Sequence, residues 1–88
     1  MEFRWNRWNV DHLQEHGINA WEAQYVVEHA RSPFPRYDGG GKYRVWEQTA
    51  GGDYLQVIFI YDPPGVVFVI HSRPLTEREK RLRRRSQR

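Results

Sequence analysis

Three strand-like segments separated by tight-turn signals make up most of the second half of this chain. The segments are KYRVWEQT (42–49), YLQVIFIYD (54–62) and VVFVIHSR (66–73). The spacers AGGD and PPG are short and rich in turn-forming residues, which is typical of hairpins between antiparallel neighbours. The second and third segments are apolar at nearly every position, so we expect both faces of their sheet to be partly covered. A short leading strand is a further candidate at EFRW (2–5).

Two helices are expected ahead of this sheet. Asn9 is placed to cap a helix through VDHLQEH, and Gly17 is placed to end it. Asn19 is placed to cap AWEAQYVVEHA, where apolar residues recur at helical spacing. The segment RSPFPRYDGGG, with two prolines and three glycines, predicts the loop that joins the helices to the sheet. At 88 residues the chain is expected to form one α+β domain over 1–88, with the helices packed on a three- to four-stranded, mainly antiparallel sheet.

The C-terminal segment 75–88 is predicted to be a short basic helix and tail. Thr76 and Glu79 have the T-x-x-E spacing of a capping box ahead of EREKRLRRR. Leu82 is its only clear apolar residue, so this helix is expected to gain little by packing and to need a binding partner.

The positive charge of the chain is concentrated in that segment. Seven Lys and Arg stand against nine Asp and Glu up to Thr76, and seven stand against two from Glu77 onward. Such a block suits phosphates, acidic proteins or anionic lipid, and it equally suits a solvated end that aids solubility.

Several classes of protein and site are excluded or disfavoured. The chain has no cysteine, which excludes disulfides, thiolate metal sites and cysteine nucleophiles. No signal-peptide pattern and no run of about 20 apolar residues is present, so a soluble cytoplasmic protein is expected. His12 and His16 have the i, i+4 spacing of metal ligands, but no third ligand is placed by any motif, so we expect neither a metal nor a cofactor. His16 is explained more simply as the end of a helix, where a partly charged histidine suits the helix dipole.

The hairpin loops also predict which side chains share a face of the sheet. They place Tyr61 opposite Val67, and Trp46 opposite Val57 and in one row with His71, about 10 Å away across two strand spacings. One face is then predicted to carry polar and aromatic side chains around an apolar floor, namely Lys42, Arg44, Trp46, Tyr61, His71 and Arg73 around Leu55, Val57, Phe59 and Val69. The other face is predicted to receive the two helices on Tyr43, Val45, Tyr54, Ile58, Ile60, Val66, Phe68 and Ile70. A one-residue slip in either hairpin would split the polar group.

Arginine, histidine and tryptophan on one face suit the cleavage of RNA. Arginine binds phosphate with two parallel hydrogen bonds, histidine exchanges a proton near neutral pH, and tryptophan stacks on an unpaired base. The 2′-hydroxyl of RNA is itself a nucleophile, so the reaction requires no metal. The alternative is a non-catalytic module that binds a protein or nucleic acid through the same face, for example a partner helix laid on the apolar floor. A DNA-binding regulator is disfavoured, because no helix pair has a suitable recognition helix.

Two long stretches carry a resemblance to a known family. FRWNRWNVDHLQEHGINAWEAQYVV resembles the opening of BrnT-type toxins, and YLQVIFIYDPPGVVFVIHSRPLTEREKRLRRR resembles their close, with HSRPLTEREKR as the most specific part. The resemblance implies a RelE-like ribonuclease toxin of a type II toxin–antitoxin pair, silenced by a DNA-binding antitoxin. It matches Arg73 to the family's arginine after the last strand, Glu79 to its helix glutamate and Arg44 to an arginine of the first sheet strand. Pro74 stands where the family has a basic residue.

The sequence and the resemblance together give a set of site residues. The expected catalytic residues are His71, Arg73, Arg44 and Glu79, where Glu79 is either a base or only the capping partner of Thr76. The expected RNA-binding residues are Trp46, Tyr61, Lys42, Lys80, Arg81 and Arg84. RNA and a DNA-binding antitoxin are the expected partners, with no cofactor.

Overall fold

The fold is a four-stranded antiparallel sheet with two helices before it and one after it. The structure, a computed structural model, describes residues 1–86. The elements are α1 (Arg7–Gln14), α2 (Ala20–Glu28), β1 (Arg36–Gly39), β2 (Lys42–Gln48), β3 (Tyr54–Asp62), β4 (Val66–Pro74) and α3 (Glu77–Ser86). The strands follow one another in the sheet in the order β1-β2-β3-β4. This confirms the predicted α+β class; the last two residues of the predicted tail, 87 and 88, lie outside the described residues.

The two N-terminal helices begin at reciprocal asparagine caps. In α1 the cap is Asn6 rather than the predicted Asn9, because the two side chains each accept a hydrogen bond from the other's backbone N–H, at 3.2 and 2.8 Å. The helix therefore starts earlier than Asn9, which lies in its first turn. Asn19 caps α2 as predicted, and Glu22 completes that box. Gly17 has a φ of +71°, the left-handed conformation expected of the residue that ends the α1 turn.

One face of the sheet is covered by the helices and forms the core. Its strand residues are fully buried and come from β2, β3 and β4, namely Val45, Val57, Phe59, Val67 and Val69. Leu13 of α1 and Val26 of α2 are fully buried with them. We call this the covered face.

The two margins of the sheet are formed by segments that the sequence analysis treated as minor. The proposed leading strand is a single parallel bridge between Phe3 and Val67, so the N-terminal segment lies beside β4. Part of the predicted loop is strand β1, which pairs Tyr37 with Tyr43 and turns back into β2 through Gly40, with φ of +60°. The fourth strand allowed by the predicted fold is therefore β1.

Helix α3 is fixed to the sheet by buried charges, which corrects the prediction that it would gain little by packing. Arg83 is 2% exposed; its Nε donates to the Trp46 carbonyl at 2.8 Å and its Nη2 donates to Glu47 Oε1 at 2.6 Å. Arg31 Nε donates to the same carboxylate oxygen at 3.1 Å. Leu82, the apolar residue on which the prediction relied, is 40% exposed. An apolar count could not show that a guanidinium from α3 would meet a carboxylate buried on β2.

Within residues 1–86, no helix has the length and apolar character needed to cross a membrane.

Candidate functional site

Two departures from the predicted register determine which side chains share the second face of the sheet. Strand β2 pairs one residue out of the predicted register with β3, so Trp46 lies opposite Gln56 rather than Val57. Pairing of β3 with β4 follows the prediction at Tyr61 and Phe59 and then shifts by one residue, so His71 lies opposite Ile58. A shift of one residue exchanges the faces of a strand. Because β2 and the end of β4 are each shifted by one residue relative to β3, their side chains still share one face, as predicted.

The polar residues of the prediction therefore lie on one face, opposite the covered face. We call it the cationic face and define it by Arg44, Trp46, Gln56, Ile58, His71 and Arg73. Two adjacent rows cross the strands there: Arg44–Ile58–His71 and Trp46–Gln56–Arg73. The predicted row joining Trp46 to His71 is wrong, but the shared face is confirmed.

The same shifts move the predicted apolar floor to the covered face. Leu55, Val57, Phe59 and Val69 are buried in the core and cannot form the base of a groove on the cationic face. Tyr61 moves with them, because it pairs with Val67 and contacts the rings of Tyr43 and Phe59 at 5.2 and 5.3 Å between centroids. The prediction that Tyr61 would join the RNA-binding residues of the cationic face is wrong. The apolar residues that lie on the same side of the sheet as the cationic face are instead Ile58, Ile60 and Phe68, all partly exposed.

Gln56 joins the two ends of one row and was missed by the sequence analysis. Its Oε1 accepts hydrogen bonds from Trp46 Nε1 at 2.9 Å and from Arg73 Nη2 at 3.3 Å. The predicted register placed Gln56 on the wrong face, so only the true register reveals its role. Trp46 is further enclosed, since Arg44 lies 4.9 Å from its ring centre and the Phe34 ring lies 5.7 Å away. Trp46 is therefore partly enclosed by its neighbours and forms one side of the site.

Arg73 forms a bidentate ion pair with Glu79, and both of its Nη groups use all their hydrogens in hydrogen bonds. Its Nη1 and Nη2 donate to the two Glu79 carboxylate oxygens at 2.8 Å each, and they also donate to the carbonyl of Pro74 and to Gln56. Each Nη group carries two hydrogens, so both groups have their full number of acceptors. Only the Nε–H of Arg73 remains for a further ligand.

Glu79 is held in its ionised form in this arrangement. The hydrogen bond from Arg73 lowers the pKa of Glu79 to about 2, and the backbone N–H of Thr76 contributes at 2.8 Å. The Thr76 hydroxyl accepts from the Glu79 N–H at 3.1 Å, which completes the predicted capping box. A carboxylate with so low a pKa is a weak base at neutral pH. Of the two roles considered for Glu79, the geometry favours the capping and positioning role.

Arg44 lies two strands away from His71, about 10 Å across Ile58 in the same row. Its Nε is 3.7 Å from an Asp38 carboxylate oxygen, which is beyond hydrogen-bond range. That Nε is buried and has no hydrogen-bond acceptor within residues 1–86. Arg44 is therefore a less fully engaged cation than Arg73.

His71 faces a second histidine. The His71 and His16 rings meet edge to face with centroids 5.3 Å apart. Partial burial lowers the pKa of His71, and the charges of His16, Arg73 and His12 lower it further. The His71 imidazole is therefore neutral at pH 7 and can accept a proton. From the sequence, His16 was considered as a metal ligand with His12 and explained more simply as a helix end. The four-residue spacing of Trp8, His12 and His16 is the signal that places His16 on the same side as the other two, facing β4.

The basic residues of α3 do not converge on the cationic face. Lys80 Nζ pairs with Glu77 at 3.1 Å, and the guanidinium of Arg84 lies 5.7 Å from the ring centre of Tyr54. Arg81 is exposed on α3. Lys42 is exposed at the far end of the face, opposite Ile60. Of these four expected RNA-binding residues, Lys42 is the one that lies on a strand of the sheet, on the same side as the two rows.

A cleft of about 270 Å³ adjoins the histidine pair. It lies between the turn after α1, the β2–β3 hairpin and the start of α3, and its polar lining includes His16, Glu22, Asp53 and Lys80. This volume is slightly below the range of about 300–1,000 Å³ typical of ligand pockets, so the cleft suits one part of a larger ligand. No group of three His, Cys, Asp or Glu side chains among the described residues is arranged to hold a metal ion.

Comparison with protein-family models, with curated proteins and with solved structures finds no match for this chain. The resemblance to BrnT-type toxins stays a prediction from the sequence.

Proposed function

We propose that this protein is a metal-independent endoribonuclease and the toxin of a type II toxin–antitoxin pair. One observation carries the catalytic part of the proposal. A neutral imidazole, two guanidinium groups and an indole lie on the face of the sheet away from the core, where the turn after α1 and helix α3 bring His16 and Glu79 beside them. These are the groups that RNA self-cleavage requires: a proton acceptor for the 2′-hydroxyl and cations that stabilise the phosphorane. The antitoxin part rests on the resemblance of the sequence alone.

The two arginines have different roles in this proposal. Arg44 makes a looser ion pair than Arg73, at 3.7 Å to Asp38, so in this proposal its guanidinium is the one that binds the phosphate directly. The Glu79 carboxylate occupies the bidentate position that a phosphate would take on Arg73, so a phosphate reaches only the remaining Nε–H unless Glu79 moves. Arg73 therefore supplies positive potential beside His71 and holds the start of α3 in position.

A second candidate function is favoured by a specific observation. Arg73 of this face is already ion-paired with Glu79, and three partly exposed apolar side chains, Ile58, Ile60 and Phe68, lie on the same side of the sheet. A non-catalytic module that binds an amphipathic helix would need only such an apolar strip with charged margins. RNA cleavage separates the two functions.

The test is cleavage of a mixed RNA by the purified protein in the presence of a metal chelator. We expect cleavage by the wild type and a loss of about 10²- to 10⁴-fold in His71→Ala, the usual contribution of a general acid or base. His29→Ala is the matched control, because His29 stacks on Tyr25 at the end of α2, away from the site. Equal cleavage by all three proteins would indicate a contaminating nuclease, and no cleavage by any of them would favour the binding module.

A further inference from the structure

His16 and His71 form a pair of imidazoles whose positions differ in a way that suits two different proton transfers. His71 is on β4 and partly buried, whereas His16 is exposed in the turn after α1 and lines the cleft. Their rings are in edge-to-face contact at 5.3 Å between centroids. Because the rings are this close, one bound phosphodiester can reach both of them, His71 from the cationic face and His16 from the cleft.

We propose that His16 is the general acid of the cleavage reaction and that His71 is the general base. This inference rests on the proposed ribonuclease function. His71 takes the proton of the 2′-hydroxyl, whose oxygen then forms a bond to phosphorus. The bond from phosphorus to the 5′-oxygen breaks, and His16 delivers its proton to that oxygen. The products are a 2′,3′-cyclic phosphate and a free 5′-hydroxyl, and solvent returns both histidines to their starting protonation states.

The surroundings of the two rings favour this division of roles. The lowered pKa of His71, caused by burial and by the charges of His16, Arg73 and His12, keeps it unprotonated. Because the two rings are in contact, a charge on the His16 ring acts directly on His71. His16 also shares its cleft with two carboxylates and one ammonium group, those of Glu22, Asp53 and Lys80. His16 is exposed and lines this cleft, which gives the departing 5′-strand a place to leave.

The decisive experiment compares two substrates cut at the same bond. One is an oligoribonucleotide that contains a mapped cleavage site, and the other has sulfur in place of the bridging 5′-oxygen at that site. A thiolate leaves without being protonated, so the sulfur substrate does not need a general acid. We expect His16→Ala to cleave the oxygen substrate about 10²- to 10⁴-fold more slowly than the wild type and to cleave the sulfur substrate at nearly the wild-type rate. His71→Ala should be slow on both.

The pH dependence gives a second readout that a structural role would not change. The rate of the wild type should rise and then fall with pH, and the fall on the alkaline side should be absent in His16→Ala. His12→Gln is the matched control, because His12 lies one helical turn before His16 and stacks on Trp8. In this variant both the rise and the fall of the rate with pH should remain. Wild-type cleavage with an unaffected His16→Ala, or a loss that the sulfur substrate does not relieve, would overturn the assignment of His16 and leave the ribonuclease function standing. A wild type that cuts neither substrate would overturn both.

Discussion

The buried guanidinium of Arg83 offers a direct test of what holds α3 on the sheet. Replacing Arg83 by methionine keeps the aliphatic stem and removes two hydrogen bonds, to the Trp46 carbonyl at 2.8 Å and to Glu47 at 2.6 Å. Glu47 is 5% exposed, so the change leaves a buried carboxylate with fewer partners. Removal of one partner from a buried ion pair costs about 3–5 kcal/mol.

The expected cost lies at the lower end of that range. Burial opposes ionisation of Glu47, but the Gln48 N–H, Arg31 and Arg83 together give it a lowered pKa. Two of these three partners remain after the substitution, so we expect the free energy of unfolding to fall by about 3 kcal/mol. For a domain of this size, 1 kcal/mol corresponds to about 4–8 °C in the melting temperature, so a fall of about 12–24 °C is expected.

Urea unfolding followed by tryptophan fluorescence measures this change. Arg85→Met is the matched control, because Arg85 is an exposed arginine of the same helix, and its free energy of unfolding should change by less than about 0.5 kcal/mol. In the double variant with Glu47→Gln, the loss should be clearly smaller than the sum of the two single losses, because the residues interact directly. If Arg83→Met unfolds at the same urea concentration as Arg85→Met, the buried pair does not hold α3, and the reasoning is refuted.

Two further outcomes are expected. The pKa of Glu79 is depressed to about 2 from a usual 4.5, so its pairing stabilises the fold fully above pH 4.5 and this stability is lost as the pH falls toward 2. The urea midpoint of unfolding should therefore fall less steeply with decreasing pH in Glu79→Gln than in the wild type. Equal slopes in the two proteins would contradict this. Expression of the wild type should arrest growth whereas Arg73→Ala should not, and Tyr61→Ala, on the covered face, should remain toxic; a toxic Arg73→Ala with a folded circular dichroism spectrum would exclude Arg73 from the site.

The sequence was sufficient to predict the three helices and strands β2, β3 and β4, and insufficient to predict β1 or the register of the sheet. Caps at Asn19 and Thr76 and the turns of both hairpins depend on local chemistry, which a single segment reveals. The partner of each strand residue depends instead on a bulge at Ile70, in the middle of β4, and on the length of the β2–β3 turn. The shared face of Arg44 and His71 was predicted correctly only because two errors of one residue compensated. Tyr61 and Val57 lie outside the compensated part and were placed on the wrong face.

The long-range contacts of the site had no signal in the spacing of residues. Glu47 and Arg83 are 36 residues apart, and Gln56 and Arg73 are 17 apart. Each pair meets only because the sheet and α3 bring them together. The capping box explained the spacing of Thr76 and Glu79, but it gave no indication that the same carboxylate would saturate Arg73. The position of His16 next to a predicted helix end was enough to explain a histidine there. The contact of its ring with His71 depends on how α1 lies beside β4, which the sequence does not reveal.

The most direct test of the proposed ribonuclease is whether cleavage depends on the 2′-hydroxyl and on His71 together. The measurement uses one oligoribonucleotide and a copy that lacks only the 2′-hydroxyl at the mapped cleavage site, with the products identified by mass spectrometry. The predicted result is cleavage of the first to a 2′,3′-cyclic phosphate by the wild type, no cleavage of the second, and no cleavage of either by His71→Ala. Equal cleavage of the two oligonucleotides, or a fully active His71→Ala, would contradict the proposed function.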